Sequence, residues 1–234
     1  MKFLYLSIDL LSLAGPLLLS FDRRVAFFRK WKALFPAIGI MLLIFIPWDM
    51  LKTAYGVWGF NPDYLCGIYI GNLPLEECLF FICIPYACIF IYECLNAYVV
   101  TDILKKIHRP LLYFLAAFLL LVAAFNYGLW YPAFTFPYTA VLLLTLMLRF
   151  KSPYLSRFLL AYMVSLIPFL LVNGILTGSL IEEPVVWYNP NEILNLRIGT
   201  IPVEDTMYSL GMLLSVVTWY EYFKCKMGMC GVNH

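Results

Sequence analysis

Long apolar stretches separated by short polar intervals occupy almost the whole chain. Seven of them approach the ~20 residues that a helix needs to cross a hydrocarbon core of ~30 Å. They predict helices near 3–21, 33–51, 75–97, 110–126, 132–150, 157–174 and 202–223. Pro16, Pro36, Pro47, Pro85 and Pro168 fall inside or beside these runs without vetoing them, because neighbouring helices re-satisfy the backbone groups that a proline frees. Composition agrees with the pattern. With 63% apolar and 13% charged residues and a mean hydropathy of +0.85, the chain lies outside soluble-domain usage. It reads as an all-α integral membrane protein.

The charged residues orient these helices if they simply alternate across the bilayer. Thirteen basic residues fall after helices one, three, five and seven: Arg23, Arg24, Arg29, Lys30, Lys32, Lys105, Lys106, Arg109, Arg149, Lys151, Arg157, Lys224 and Lys226. Only Lys2, Lys52 and Arg197 fall on the other side. The positive-inside rule then puts the N-terminus outside and the C-terminus in the cytoplasm, as a multi-pass protein of the cell membrane. The first apolar segment lacks a basic n-region and is followed by Asp22, Arg23 and Arg24, which favours a retained span over a cleaved signal peptide.

Against this background the acids stand out. Glu76 and Glu77 head the third helix, and a search for internal similarity finds a second pair. FNPDYLCGIYIGNLPLEE at 60–77 aligns without a gap, 128 residues on, with YNPNEILNLRIGTIPVED at 188–205. Asn61, Pro62, Ile70, Gly71, Pro74 and Glu76 recur as Asn189, Pro190, Ile198, Gly199, Pro202 and Glu204, while Glu77 becomes Asp205. Tyr92-Glu93 recurs as Tyr220-Glu221 at the same offset. Apolar bias does not produce matched Asn-Pro, Gly, Pro and acid positions. The chain therefore divides into a first repeat over 1–109, a connector helix over 110–127 and a second repeat over 128–234. Because the connector returns the chain across the membrane, the two three-helix repeats are parallel, an arrangement that places a site between the halves.

Pro74 and Pro202 suit the first turn of a helix, with the acids two and three residues further on. The helix dipole favours a carboxylate there by ~0.3–1 kcal/mol, so either acid alone serves as an ordinary cap. A cap needs one acceptor, however, and an acid at bilayer depth costs ~2.5–3.5 kcal/mol on insertion scales. Two such pairs point to a use. Each repeat also carries a polar residue near the outer end of its second helix, Asp49 in one and Asn173 in the other. Glu93 and Glu221 lie about 25 Å along the helices at ~1.5 Å per residue and are assigned to structure.

Other chemistry is missing from the sequence. Cys66, Cys78, Cys83, Cys88 and Cys94 lie in or beside apolar runs, where thiols behave as small hydrophobes. Cys225 and Cys230 have no partners at zinc-finger spacing, and His108 and His234 fall outside the spans, which argues against a His-rich di-iron enzyme. No GxGxxG or GxxxxGK[ST] stretch offers a nucleotide fingerprint.

PLEE at 74–77 and PVED at 202–205, each after an aromatic-Asn-Pro stretch, with WD at 48–49 and VNGILTG at 172–178, resemble the cofactor-independent membrane lycopene cyclases. The chain looks like the fused form, in which two homologous halves share one polypeptide, and the likeness covers residues 1–223. The resemblance implies lycopene β-cyclisation. An acid protonates C2 of the terminal C1=C2 bond, C5=C6 attacks the C1 cation, and loss of the C6 proton completes a β-ionone ring, giving γ-carotene and then β-carotene. It implies no cofactor and no metal. The expected partners are a carotenoid substrate and the lipid bilayer, with neighbouring carotenoid enzymes as candidates and no nucleic acid.

That chemistry asks for a protonated acid, a base and a dry cavity. Two carboxyls sharing an apolar site do not readily ionise together. Glu76 and Glu204 are the expected principal acids or bases, Glu77 and Asp205 their coupled partners, and Asp49 and Asn173 supporting groups. Aromatic faces would stabilise a cation; Trp48, Tyr55, Trp58, Phe60, Tyr69, Trp187, Tyr188 and Tyr208 either do so or form an interfacial belt. Which copy donates the proton is open. So are two other readings, a related isoprenoid-modifying enzyme with another ring outcome and a proton-coupled transporter; the scarcity of polar residues mid-span counts against the second.

Overall fold

Each apolar run is a helix in the computed structural model, which describes residues 2–229; Cys230 and His234 lie outside the described residues. The helices are α1 (Leu4–Leu19), α2 (Trp31–Ala54), α3 (Leu75–Tyr98), α4 (His108–Phe125), α5 (Trp130–Leu148), α6 (Leu155–Leu176) and α7 (Val203–Lys226). Five are long and apolar enough to cross a membrane: α2 with the 3-10 turn before it, α3, α4, α5 and α6. α1 is apolar but shorter, and α7 carries acids in its first turn and lysines in its last. Pro36 and Pro47 sit inside α2 and Pro85 inside α3, tolerated by the packing around them.

Short strands join the helices: β1 (Trp58–Phe60), β2 (Tyr69–Ile70), β3 (Leu73–Pro74), β4 (Val186–Tyr188), β5 (Arg197–Ile198) and β6 (Ile201–Pro202). They correct the expectation for the two prolines. Pro74 pairs with Tyr69 in one hairpin and Pro202 with Arg197 in the other, so each proline ends a strand and caps the following helix rather than opening its first turn. The helices begin at Leu75 and Val203, and the acids take the second and third positions.

The packing has approximate twofold symmetry. α1 lies along α3 as α5 lies along α7, and across the halves α2 packs on α7 as α3 packs on α6, while α4 covers α5. Met41, Phe45, Phe81, Ile89, Leu210, Leu214 and Val217 fill the shared core. β1 and β4 run antiparallel, with Trp58 opposite Tyr188, Gly59 opposite Trp187 and Phe60 opposite Val186. Since Trp58 corresponds to Val186 and Phe60 to Tyr188 in the repeat, the pairing is self-complementary, as a twofold contact must be. Beyond the strands the ladder continues in both directions, Asn61 N–H donating to Val185 O at 2.8 Å and Asn189 N–H to Val57 O at 2.9 Å.

At the other end of α3 and α7 the symmetry repeats in side chains. Tyr220 Oη donates to Glu93 at 2.8 Å and Tyr92 Oη to Glu221 at 3.0 Å. Lys224 Nζ bridges both carboxylates at 2.8 Å, and Lys30 pairs with Glu93. Glu93 is buried, and a buried charge persists only when paired and hydrogen-bonded in this way. Glu93 and Glu221 therefore have the structural role assigned to them.

α5 and α7 pack tightly at Gly211, where an added methyl group would stand 2.5 Å from Thr139 Oγ1. Gly211→Ala is expected to destabilise the protein by ~1–3 kcal/mol through overpacking. Gly15→Ala, with nothing within 4 Å of the added carbon, should be neutral or stabilising in its helix; thermal unfolding of both variants in detergent checks the contrast.

Candidate active site

The local sequence builds the two helix mouths alike. Between β2 and β3, and again between β5 and β6, the chain turns in two residues, Gly71-Asn72 and Gly199-Thr200. Gly71 and Gly199 have φ of 65° and 64°, the positive value that a tight hairpin of type II′ requires at its first loop position. Asn61 and Asn189 turn the preceding loops, their side chains accepting from Asp63 N–H at 3.1 Å and Asn191 N–H at 3.0 Å. The first acid of each pair then fastens loop to helix. Glu76 Oε1 accepts from Cys66 N–H at 2.6 Å and Glu204 Oε1 from Leu194 N–H at 2.5 Å. Both side chains are fully buried, and the other oxygen of each has no protein partner.

The second acid of each pair faces inward. Glu77 and Asp205 line one cavity of about 60 Å³ together with Asp49 and Asn173. Its walls are aromatic and apolar, including Trp58, Phe80, Tyr131, Phe169, Tyr188 and Tyr208. Of the six acids and amides singled out in the sequence, four thus meet in one space. Glu76 and Glu204, ranked first, do not line it. The physical reason is that successive helical residues point about 100° apart, so when one acid turns back to its loop the next turns to the bundle interior. Among the aromatic candidates, Trp58, Tyr188 and Tyr208 line the cavity, whereas Tyr55, Tyr69 and Trp187 are exposed.

The two inward acids have different surroundings. Asp205 accepts from Tyr131 Oη at 2.6 Å, Asn173 Nδ2 at 2.7 Å and Tyr188 Oη at 2.7 Å. Burial first, then the neighbouring Asp205, holds the Tyr188 phenol well above its ordinary range, which keeps it a donor. Glu77 accepts from Tyr5 Oη at 2.6 Å. Near it are two further carboxyls, both buried: Asp9, with neither oxygen partnered, and Asp49, with Oδ2 unpartnered.

Three of these groups escaped the sequence reading. Tyr5 and Tyr131 occupy the same place in α1 and α5, but their offset is 126 rather than 128, so the alignment of the motif did not reach them. Asp9 lies one turn along α1 from Tyr5, and its counterpart is Thr135. Lys52 falls with the outer loops by sequence, yet it is buried in the last turn of α2. Its Nζ donates to Thr135 Oγ1 at 2.8 Å and stands 4.2 Å from the Tyr131 ring centre, 4.8 Å from Trp48, 4.9 Å from Trp58 and 5.5 Å from Tyr208. An aromatic box of this kind solvates a cation in place of water. Among the described residues no cluster of three or more His, Cys, Asp or Glu is arranged to hold a metal ion.

A helical membrane protein made of two homologous halves, closing an acid-lined aromatic cavity between them, is the class that fold and site define. The chain belongs to the lycopene cyclase family, whose family model matches residues 2–95 and 126–223. The two matched stretches are the two halves of the internal repeat, separated by α4. No curated protein and no solved structure matches the chain.

The loop-fastening geometry is testable. Glu76→Ala strands the Cys66 N–H without its acceptor and should cost ~1–3 kcal/mol. Glu76→Gln, which keeps a carbonyl oxygen at the same reach, should recover most of that loss; thermal unfolding of the two variants side by side measures it.

Proposed function

We propose that the chain is a lycopene β-cyclase acting by proton transfer, with Glu77 and Asp205 as its catalytic pair. One observation supports this most directly: two carboxyls from equivalent positions of the two halves line the same aromatic cavity. Cyclisation adds a proton at C2 and removes one at C6, so a reaction with no net gain or loss of atoms needs one acid and one base within reach of a single end group. Such groups typically contribute ~10²–10⁴-fold each. Between the two proton transfers the positive charge passes from C1 to C5, and the ring faces of Trp58, Tyr131 and Tyr208 stabilise it. Glu76 and Glu204 act indirectly, by fixing the helix mouths.

A cavity of about 60 Å³ is far below the ~300–1,000 Å³ of ordinary ligand pockets. Substrate entry therefore widens it, and the half-buried Phe80 and Phe169 form its apolar side, suited to a hydrocarbon arriving from the bilayer. On this proposal the chain has seven spans with the N-terminus outside, the cavity toward the non-cytoplasmic face, the Lys30–Glu93–Lys224 cluster toward the cytoplasm, and residues 1–109 and 128–234 as the two repeats about the connector.

In a lycopene-accumulating host the protein should yield γ-carotene and β-carotene; unchanged lycopene would exclude the assignment. Glu77→Gln and Asp205→Asn should each lower ring formation by ~10²-fold or more while the proteins still insert in the membrane. In heavy water, deuterium should appear at the ring carbon that was C2.

A further inference from the structure

We infer that the two halves divide the reaction in a fixed direction: Glu77 of the first half delivers the proton to C2, and Asp205 of the second half removes the proton from C6. This rests on the cyclase reading and goes beyond it, because it makes the placement of Asp205 the determinant of which ring isomer forms.

The direction follows from the asymmetry between equivalent positions. Behind Glu77 stand Asp9 and Asp49, so three carboxyls share a buried region; Tyr5 is the hydrogen-bond donor to Glu77, Trp58 and Lys52 face Asp49, and Asp9 is left with no donor. Asp9 is fully buried with both oxygens unpartnered. An ionised carboxylate in that position would be uncompensated, at a cost that buried groups avoid by keeping a proton. The cluster is therefore a store of protons. At the corresponding places in the second half the acids are gone: Asp49 is matched by Asn173 and Asp9 by Thr135. Asn173 donates to Asp205, while Thr135 accepts from Lys52. Asp205 thus receives three donors, which is the environment of a carboxylate. A carboxylate offers about four acceptor sites, and three occupied sites leave one for the incoming proton.

The balance is simple. The O–H bond of Glu77 breaks as C2–H forms; C6 bonds to C1 and the cation moves to C5. The C6–H electron pair then becomes the C5=C6 double bond as the proton passes to Asp205. No electrons are exchanged with any other reactant; between turnovers Asp205 gives its proton up to solvent and the first-half cluster takes one from solvent, so the count of protons is unchanged. The C5 cation has three kinds of neighbouring proton. Loss from C6 gives the β ring, loss from C4 the ε ring, and loss from the methyl carbon C18 the γ ring. The base that is nearest decides among them, whereas the acid decides only whether the cation forms.

The test compares moving the acid with moving the base in a lycopene-accumulating host, after wild-type conversion has been confirmed; failure at that first step refutes the cyclase reading itself. Glu77→Asp should lower conversion and give β rings alone. Tyr188→Phe and Asn173→Ser each remove one of the three donors that aim Asp205, and Asp205→Glu moves the carboxylate itself. These three should form rings in which ε or γ end groups accompany β, resolved by chromatography and absorption spectra. β rings alone from all three, ε or γ rings from Glu77→Asp, or loss of every ring from membrane-inserted Tyr188→Phe would each overturn the assignment. A purely structural role for Tyr188 or Asn173 would change yield and leave the ring type untouched.

Discussion

Carboxyl groups taken out of water inside a helical bundle must be given donors, and that constraint shapes this protein from end to end. On insertion scales an acid at the centre of a membrane helix costs ~2.5–3.5 kcal/mol, and here Glu76, Glu77, Glu93, Glu204 and Asp205 are all buried. The backbone N–H groups of Cys66 and Leu194 serve Glu76 and Glu204, and in doing so tie each aromatic-Asn-Pro loop to the helix that follows it. The tyrosines of α3 and α7, with Lys30 and Lys224, serve Glu93 and Glu221 and lock the two halves together. What remains is the small group whose needs are met unequally, and that group surrounds the cavity.

Duplication explains both the order and its local failure. Equivalent helices pack in equivalent pairs, and the strand pairing between Trp58–Phe60 and Val186–Tyr188 is self-complementary, so the two acid-bearing helices are brought to one axis at one depth. Had the halves stayed identical, their inward carboxyls would have had the same surroundings. Instead, the exchange of Asp9 for Thr135 and of Asp49 for Asn173 leaves acids on one side and neutral partners on the other. Lys52, held by Thr135 and the aromatic box, lies between Asp49 and Asp205. The scaffold keeps the symmetry while the cavity loses it.

Much of this was legible in the sequence because it depends on long-range regularity. Apolar runs of helical length marked seven elements, and the Asn-Pro, Gly and Pro-x-acid-acid positions marked the repeat, the recurring glycines being those at which the hairpins need positive φ. The identity of the inward acid was not legible. Glu76 and Glu204 match more strictly than Glu77 and Asp205, but that strictness reflects a backbone clamp whose reach suits a glutamate, not contact with the cavity. Lys52 looked like an interfacial residue because it lies three positions past Asp49 at the end of an apolar run. Tyr5 and Asp9 were hidden by a two-residue change of offset, and strands of two or three residues carry too short a pattern to show any period.

The cavity's small volume and its asymmetry bear on each other. A small, largely apolar space raises the cost of any unpaired charge, and on the proposed mechanism this strengthens both the hold of Asp205's three donors on a negative charge and the hold of the first-half cluster on its protons. In the proposed reaction the same apolar walls limit the water that could quench a carbocation, so the nearest base is the one the protein supplies. If the cavity were wider and wet, the difference between the halves would be screened and any water could take the proton. A site that opens only as far as one end group requires can therefore be selective about where a proton leaves, although both of its acids descend from the same position in the repeat.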